Sequence, residues 1–193
     1  MKKKWILLIA LLAMTALICA GCGGSEGSES DEVDLSEGAD SSTVLASFTA
    51  QTEDGEEWSA QDLGASDVTM INLWGTFCGP CINEMPKIAD LQKELPDNVT
   101  IVTYCGDYSD ETAGDCRDIL EDSGYEGTNL ISSDGDLQKL VNSTRFYPTT
   151  YFFDSEGNQV AEPVVGAPKD PKAEYLNSIN QALQAIGKDP LQF

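Results

Sequence analysis

Cys78-Gly-Pro-Cys81 places two thiols three residues apart, directly after the apolar run Val68-Thr-Met-Ile-Asn-Leu-Trp74. Where a buried strand hands over to a helix, Cys78 falls at the helix N-terminus. Unpaired backbone N–H groups there favour a thiolate over a thiol. Cys81, within the first helical turn, can close a disulfide with Cys78 or attack a mixed disulfide formed on it. That is the minimum requirement for thiol–disulfide exchange. The 193 residues include no histidine, which removes Ser-His-Asp and Cys-His catalysis, two-His metalloprotease sites and imidazole switching together. A four-cysteine zinc site would have to recruit Cys105 and Cys116, which are separated by ten residues with no knuckle turn, so no metal is expected. No other cofactor is implied.

The elements that must position this pair can be read from apolar periodicity. Val68 to Trp74 and Val99 to Cys105 read as buried parallel strands. Pro80 to Leu95 has helical spacing interrupted by Pro86, which predicts a kink. Phe48 to Trp58 reads as two short strands around Asp54-Gly55, and a turn or short helix follows near Ala60 to Leu63. Helices are expected over Asp110 to Asp122 and Asp136 to Val141. Thr149 to Phe153 with Gln159 to Val165 predicts a hairpin, and Leu176, Ile179, Leu183 and Ile186 form the apolar stripe of a last helix. The order predicts an α/β fold: a mixed sheet with helices on both faces and an extra N-terminal β-hairpin.

Trp74, Cys78, Pro80, Cys81, Glu84 and Pro86 follow a W-x-x-x-C-x-P-C-x-x-E-x-P pattern. With Asp54-Gly55, Tyr147-Pro148-Thr149 and the Asp154 to Gly157 turn, the chain from about Phe48 to Ile186 resembles the thioredoxin superfamily, closest to its membrane-tethered TlpA/ResA-type branch. The resemblance implies a thioredoxin-like fold and a thiol–disulfide oxidoreductase, with Cys78 attacking and Cys81 resolving. It implies that Pro148 is a cis-proline facing the pair and that Tyr147 and Thr149 present backbone to an extended substrate segment. Trp74, Gly79 and Pro80 are the remaining substrate-binding candidates. Cytoplasmic thioredoxins carry a buried Asp six residues before the first cysteine, whereas this chain has Asn72. The acid that handles protons is then Glu84, as in the TlpA/ResA branch; its competing role is to complement the helix dipole. A thiol peroxidase would need a P-x-x-x-T-x-x-C setting, which is absent.

Met1 to Lys4 supply three lysines ahead of an apolar run from Trp5 to Cys19, which reads as a signal-peptide core. Cys19-Ala-Gly-Cys22 resembles a bacterial lipobox, so residues 1–21 are expected to be cleaved and Cys22 lipidated; an ordinary signal peptide is the alternative. Residues 22–47 are rich in Gly, Ser, Asp and Glu and are expected to form a disordered acidic tether reaching ~28 Å. Residues 48–193 are expected to form the thioredoxin-like domain. Eleven basic against 33 acidic residues give a net charge of -22, which disfavours nucleic acid and anionic surfaces. For an exported protein, a structural disulfide between Cys105 and Cys116 is expected; a second redox couple or two free thiols are the alternatives.

The expected whole is a monomer, lipid-anchored on the outer face of the bacterial cytoplasmic membrane. It would reduce protein disulfides with electrons from a membrane thiol donor. A disulfide oxidase or isomerase and a non-enzymatic binding lipoprotein are the alternatives.

Overall fold

The computed structural model describes residues 43–192. The expected signal peptide, Cys22 and nearly all of the tether lie outside these residues. Seven strands form one sheet in the order β2-β1-β5-β4-β3-β6-β7. β3 (Val68–Trp74) and β4 (Val99–Cys105) run parallel at its centre, and every residue of β3 is buried, as a nearly continuous apolar run requires. β6 (Thr149–Asp154) lies antiparallel on the other side of β3. The hairpin β1 (Thr49–Thr52) and β2 (Glu57–Ser59) turns at Gly55, whose φ of 79° suits glycine, and extends the far edge as expected.

Strand alternation sorts the core into two layers. Val68, Met70 and Trp74 of β3, with Val99, Ile101 and Cys105 of β4, face α1 (Gly79–Glu94), α2 (Ala113–Ser123) and α4 (Pro171–Ala185). Ile71, Leu73, Val102 and Tyr104 face α3 (Gly135–Ser143) through Leu137 and Leu140, and meet Leu45 and Phe48 on that side. The same alternation turns Asn72, in step with Met70 and Trp74, toward α1.

α1 runs on through Pro86, which forgoes the bond to the carbonyl one turn back. Three local expectations need correction. α2 begins at Ala113 rather than Asp110, because Ser109 to Thr112 form a turn in which Thr112 Oγ1 donates to the Asp107 carbonyl at 2.8 Å. β7 is only Val164–Val165: Pro163 offers no ladder donor, and Gln159 makes only an isolated bridge to Phe153. β5 (Thr128–Ser133) was not visible in the sequence at all. Its polar Thr-Asn-Leu-Ile-Ser-Ser buries only Leu130 fully, so pairing with β4 and β1 defines it rather than apolar pattern.

The stripe of α4 is also rotated. Tyr175, Ser178, Ile179, Ala182 and Leu183 are buried, whereas Leu176 and Ile186 are only partly covered. Among the described residues, no helix is long and apolar enough to cross a membrane.

Candidate active site

Cys78 caps α1. Its backbone is extended, Pro80 lies in the first turn, and the Cys81 N–H donates to Cys78 Sγ at 3.3 Å. The helix start therefore places a donor on the first sulfur, as the sequence predicts, and the two cysteines are joined in a disulfide. Cys78 is 6% exposed and Cys81 fully buried, so an incoming thiol can reach only the first. That asymmetry separates attacking from resolving sulfur.

On the same helix as the pair, Glu84 is 2% exposed. One helical turn beyond Cys81, it points to the sheet, where Asn72 Nδ2 donates to its Oε1 at 3.0 Å. From α4, the Tyr175 hydroxyl donates to both carboxylate oxygens at 3.0 Å. Burial pushes the Glu84 carboxyl up to about 7, although the Asn72 and Tyr175 hydrogen bonds pull it down. Thus it can change protonation state near neutral pH. Asn72 Oδ1 is buried without a partner, while Nδ2 also donates to Thr150 Oγ1 at 2.8 Å.

The Tyr147–Pro148 peptide is cis. Tyr147 packs its ring against Phe77, the residue before Cys78, with centroids 6.2 Å apart. Two substrate-contact expectations change here. Trp74 is fully buried and its indole N–H donates to Asn129 Oδ1 at 3.1 Å, which makes it part of the core rather than a contact surface. Thr149 pairs with Leu73 on one side and Val165 on the other, and the Pro148 carbonyl accepts from Gly166. This leaves the backbone of Tyr147 as the unengaged part of the segment. Gly79 and Pro80 are exposed beside Cys78.

Sequence reasoning missed Tyr175, which hides among apolar neighbours in α4, and Phe77, which is 72% exposed. An aromatic residue next to the first cysteine was the available signal for Phe77; Tyr175 offered none, because its partner is 91 positions away.

Cys105 and Cys116 are both free, buried thiols, so the disulfide expected between them is not formed here. Each sulfur has polar company suited to a thiol: Cys105 donates to Asp107 Oδ1 at 3.4 Å, and Asn129 Nδ2 donates to Cys116 at 3.6 Å. Among the described residues, no group of three or more metal-ligating side chains is assembled.

The AhpC/TSA family profile matches residues 42–161, more than half of the chain. The chain belongs to the AhpC/TSA family. Its fold and cysteine pair are those of thioredoxin-like thiol–disulfide oxidoreductases in this family. It is 32% identical over 110 residues to the thioredoxin-like protein YneN of Bacillus subtilis, covering 57% of this chain and 63% of that protein. The thiol–disulfide oxidoreductase ResA of Oceanobacillus iheyensis is 32% identical over 149 residues, covering 75% of this chain and 66% of that protein. The crystal structure of a thiol:disulfide interchange protein from Chlorobium tepidum superposes with a TM-score of 0.61 at 22% identity, covering 74% and 97% of the two chains, and shows the shared fold. The AhpC/TSA match thus coincides with the part of the chain that holds Cys78, Cys81 and Glu84.

Proposed function

We propose that this protein reduces disulfides in exported proteins, with Cys78 as attacking thiol, Cys81 as resolving thiol and Glu84 as their proton carrier. The observation that carries this reading is the buried Glu84, held by Asn72 and Tyr175 one helical turn beyond a disulfide whose first sulfur alone is accessible. The reduced Cys78 thiolate attacks a substrate disulfide and forms a mixed disulfide. Cys81 then loses its proton and displaces the substrate thiol, which gains one. A carboxyl titrating near 7 is matched to that exchange. The substrate segment lies extended against the free backbone of Tyr147, with Phe77 as its apolar neighbour.

Gly79-Pro80 between the cysteines, together with the absence of histidine, favours reduction over oxidation. Thioredoxin at ~-270 mV and the oxidising extreme at ~-120 mV differ by ~7 kcal/mol for two electrons. A measured potential below ~-200 mV and insulin reduction with a dithiol donor are expected; a value above ~-150 mV would make the protein an oxidase. A Cys22 lipid anchor fits an extracytoplasmic reductase fed by a membrane thiol carrier. Detergent-phase partitioning should be lost in Cys22→Ala, and persistence would indicate an uncleaved hydrophobic anchor instead. A monomer suffices, since one chain supplies every residue of the site. Failure to reduce insulin under a range of donors would leave a binding lipoprotein as the better reading.

A further inference from the structure

Cys105 ends β4 in register with Trp74, and the two residues that follow it touch both halves of the active site. The Gly106 N–H donates to the Trp74 carbonyl at 2.8 Å. The Tyr147 side chain packs so closely on Gly106 that a Cβ there would overlap its hydroxyl. The Asp107 carboxylate accepts from Thr76 N at 2.9 Å and Thr76 Oγ1 at 2.6 Å, fixing the loop that leads into Cys78. The same Asp107 Oδ1 accepts from the Cys105 thiol. On the other side, Asn129 donates to Cys116 while its Oδ1 accepts from Trp74 and from Thr103. Both sulfurs are therefore wired to the strand and loop that carry Cys78.

We propose that Cys105 and Cys116 are a second redox site, a dithiol that closes to a disulfide and thereby changes the reactivity of Cys78 through Asp107, Gly106 and Asn129. Cys105 and Cys116 are buried in one layer of the core, and the Cys105 thiol aims its proton at Asp107 Oδ1. Their mutual interaction, together with burial, pushes the Cys105 thiol up, and it pulls the Cys116 thiol down, so Cys116 is the readier nucleophile. Cys116 is also the only fully buried residue of α2, with Ile119 and Leu120 partly buried against the same core, so local opening of that helix is what exposes the thiol.

The oxidant is a disulfide, either a small molecule or a peptide. The Cys116 thiolate attacks one of its sulfurs, breaking that S–S bond and releasing one thiolate. Cys105 then displaces the second sulfur as it gives up its proton. One Cys105–Cys116 bond forms, two electrons pass to the oxidant, and its two sulfurs leave as thiols carrying the two cysteine protons.

Closure removes the proton that Cys105 shares with Asp107 and leaves a sulfur lone pair against a carboxylate oxygen. The carboxylate must shift, and Thr76 shifts with it. There is little slack, because a Cβ at Gly75 would already press on Phe77 and come within 3.2 Å of Asp107 Oδ1. Coupling of this kind is reciprocal, so reduction of Cys78–Cys81 must in turn change the affinity of the second pair for electrons.

The inference rests on Cys78 as the attacking thiol, but its first test does not. The full chain and its Cys78→Ser/Cys81→Ser variant are equilibrated in glutathione buffers of graded ratio, acid-quenched, alkylated and mapped by mass spectrometry. A 105–116 disulfide that forms and reduces reversibly in both proteins is expected, whatever the insulin assay shows. Thiols that stay reduced throughout, or a disulfide that never opens, would overturn the proposal. The second test measures reduction of Cys78–Cys81 by dithiothreitol in the fully oxidised chain and in Cys105→Ser/Cys116→Ser. A difference of about fivefold or more is expected, the lower end of ordinary allosteric coupling, and it should disappear when Asp107→Ala is added to both. Equal rates, or a difference indifferent to Asp107→Ala, would remove the link to Cys78.

Discussion

The two cysteine pairs lie against one face of one sheet, yet they are built from opposite materials. Cys78 and Cys81 are three residues apart on a single turn, joined to each other, with one sulfur reachable and a buried carboxyl one helical turn on. Cys105 and Cys116 come from a strand end and a separate helix, are buried at 1% and 0% exposure, and remain thiols. Acids near the two pairs also differ. Glu84 is buried and pushed up to about 7, so it can exchange a proton. Asp107 is held below the usual carboxylate range by its Thr76 and Cys105 hydrogen bonds despite some burial, so it remains a fixed anion. Proximity of two thiols is thus not what makes a pair a catalyst; access to one sulfur and a titrating neighbour are.

The comparison can be broken most severely at Cys81. Cys81→Ser leaves attack intact but no resolving thiol, so turnover should cease and a mixed disulfide on Cys78 should accumulate, identifiable by mass spectrometry. Continued turnover would mean that another cysteine resolves, with Cys116 the first suspect.

Glu84→Gln keeps size and hydrogen bonding but removes titration. Resolution should slow by ~10²-fold, and the pH–rate profile should lose its pKa near 7. The same carboxyl costs stability. Its folded value lies above its ordinary 4.5, so wild-type stability relative to Glu84→Gln is greatest below pH 4.5, falls as pH rises toward 7, and is level above. At 1.36 kcal/mol per pH unit the total fall is about 3 kcal/mol, measurable by denaturant unfolding at several pH values. An unchanged rate and pH profile would reduce Glu84 to a helix-dipole partner.

Phe77→Ala sharpens the contrast in access. Removing this exposed ring should raise KM for protein substrates by about tenfold while leaving reduction by small dithiols unchanged, because only a docked chain can use it. Equal effects on both would point to a disturbed loop instead. Smallest is Tyr175→Phe. Losing a donor to the carboxylate, worth ~1.5 kcal/mol, should move the Glu84 inflection upward by about one pH unit and cost only a few-fold in rate at neutral pH.

By itself the sequence determined what local signals can carry. The fully buried, mostly apolar β3, the Cys78-Gly-Pro-Cys81 junction and the Pro80 start of α1 lie within about a dozen residues, so strand, loop and N-cap follow from periodicity and capping alone. Glu84 was legible because one helical turn separates it from Cys81. Tertiary structure alone decided what those residues meet. The Tyr175 hydroxyl reaches Glu84 across 91 positions, and α4 turns a face that its Leu176 stripe did not announce. β5 exists because β4 and β1 pair with it, not because its six mostly polar residues demand a strand. Likewise, composition could place Cys105 and Cys116 in an exported chain and argue for a bond between them. Only the packed sheet shows each sulfur supplied with a hydrogen-bond partner that also holds the active-site loop or Trp74. Apolar periodicity is a property of neighbours in sequence, whereas a buried proton's acceptor is chosen by whichever element the fold brings alongside.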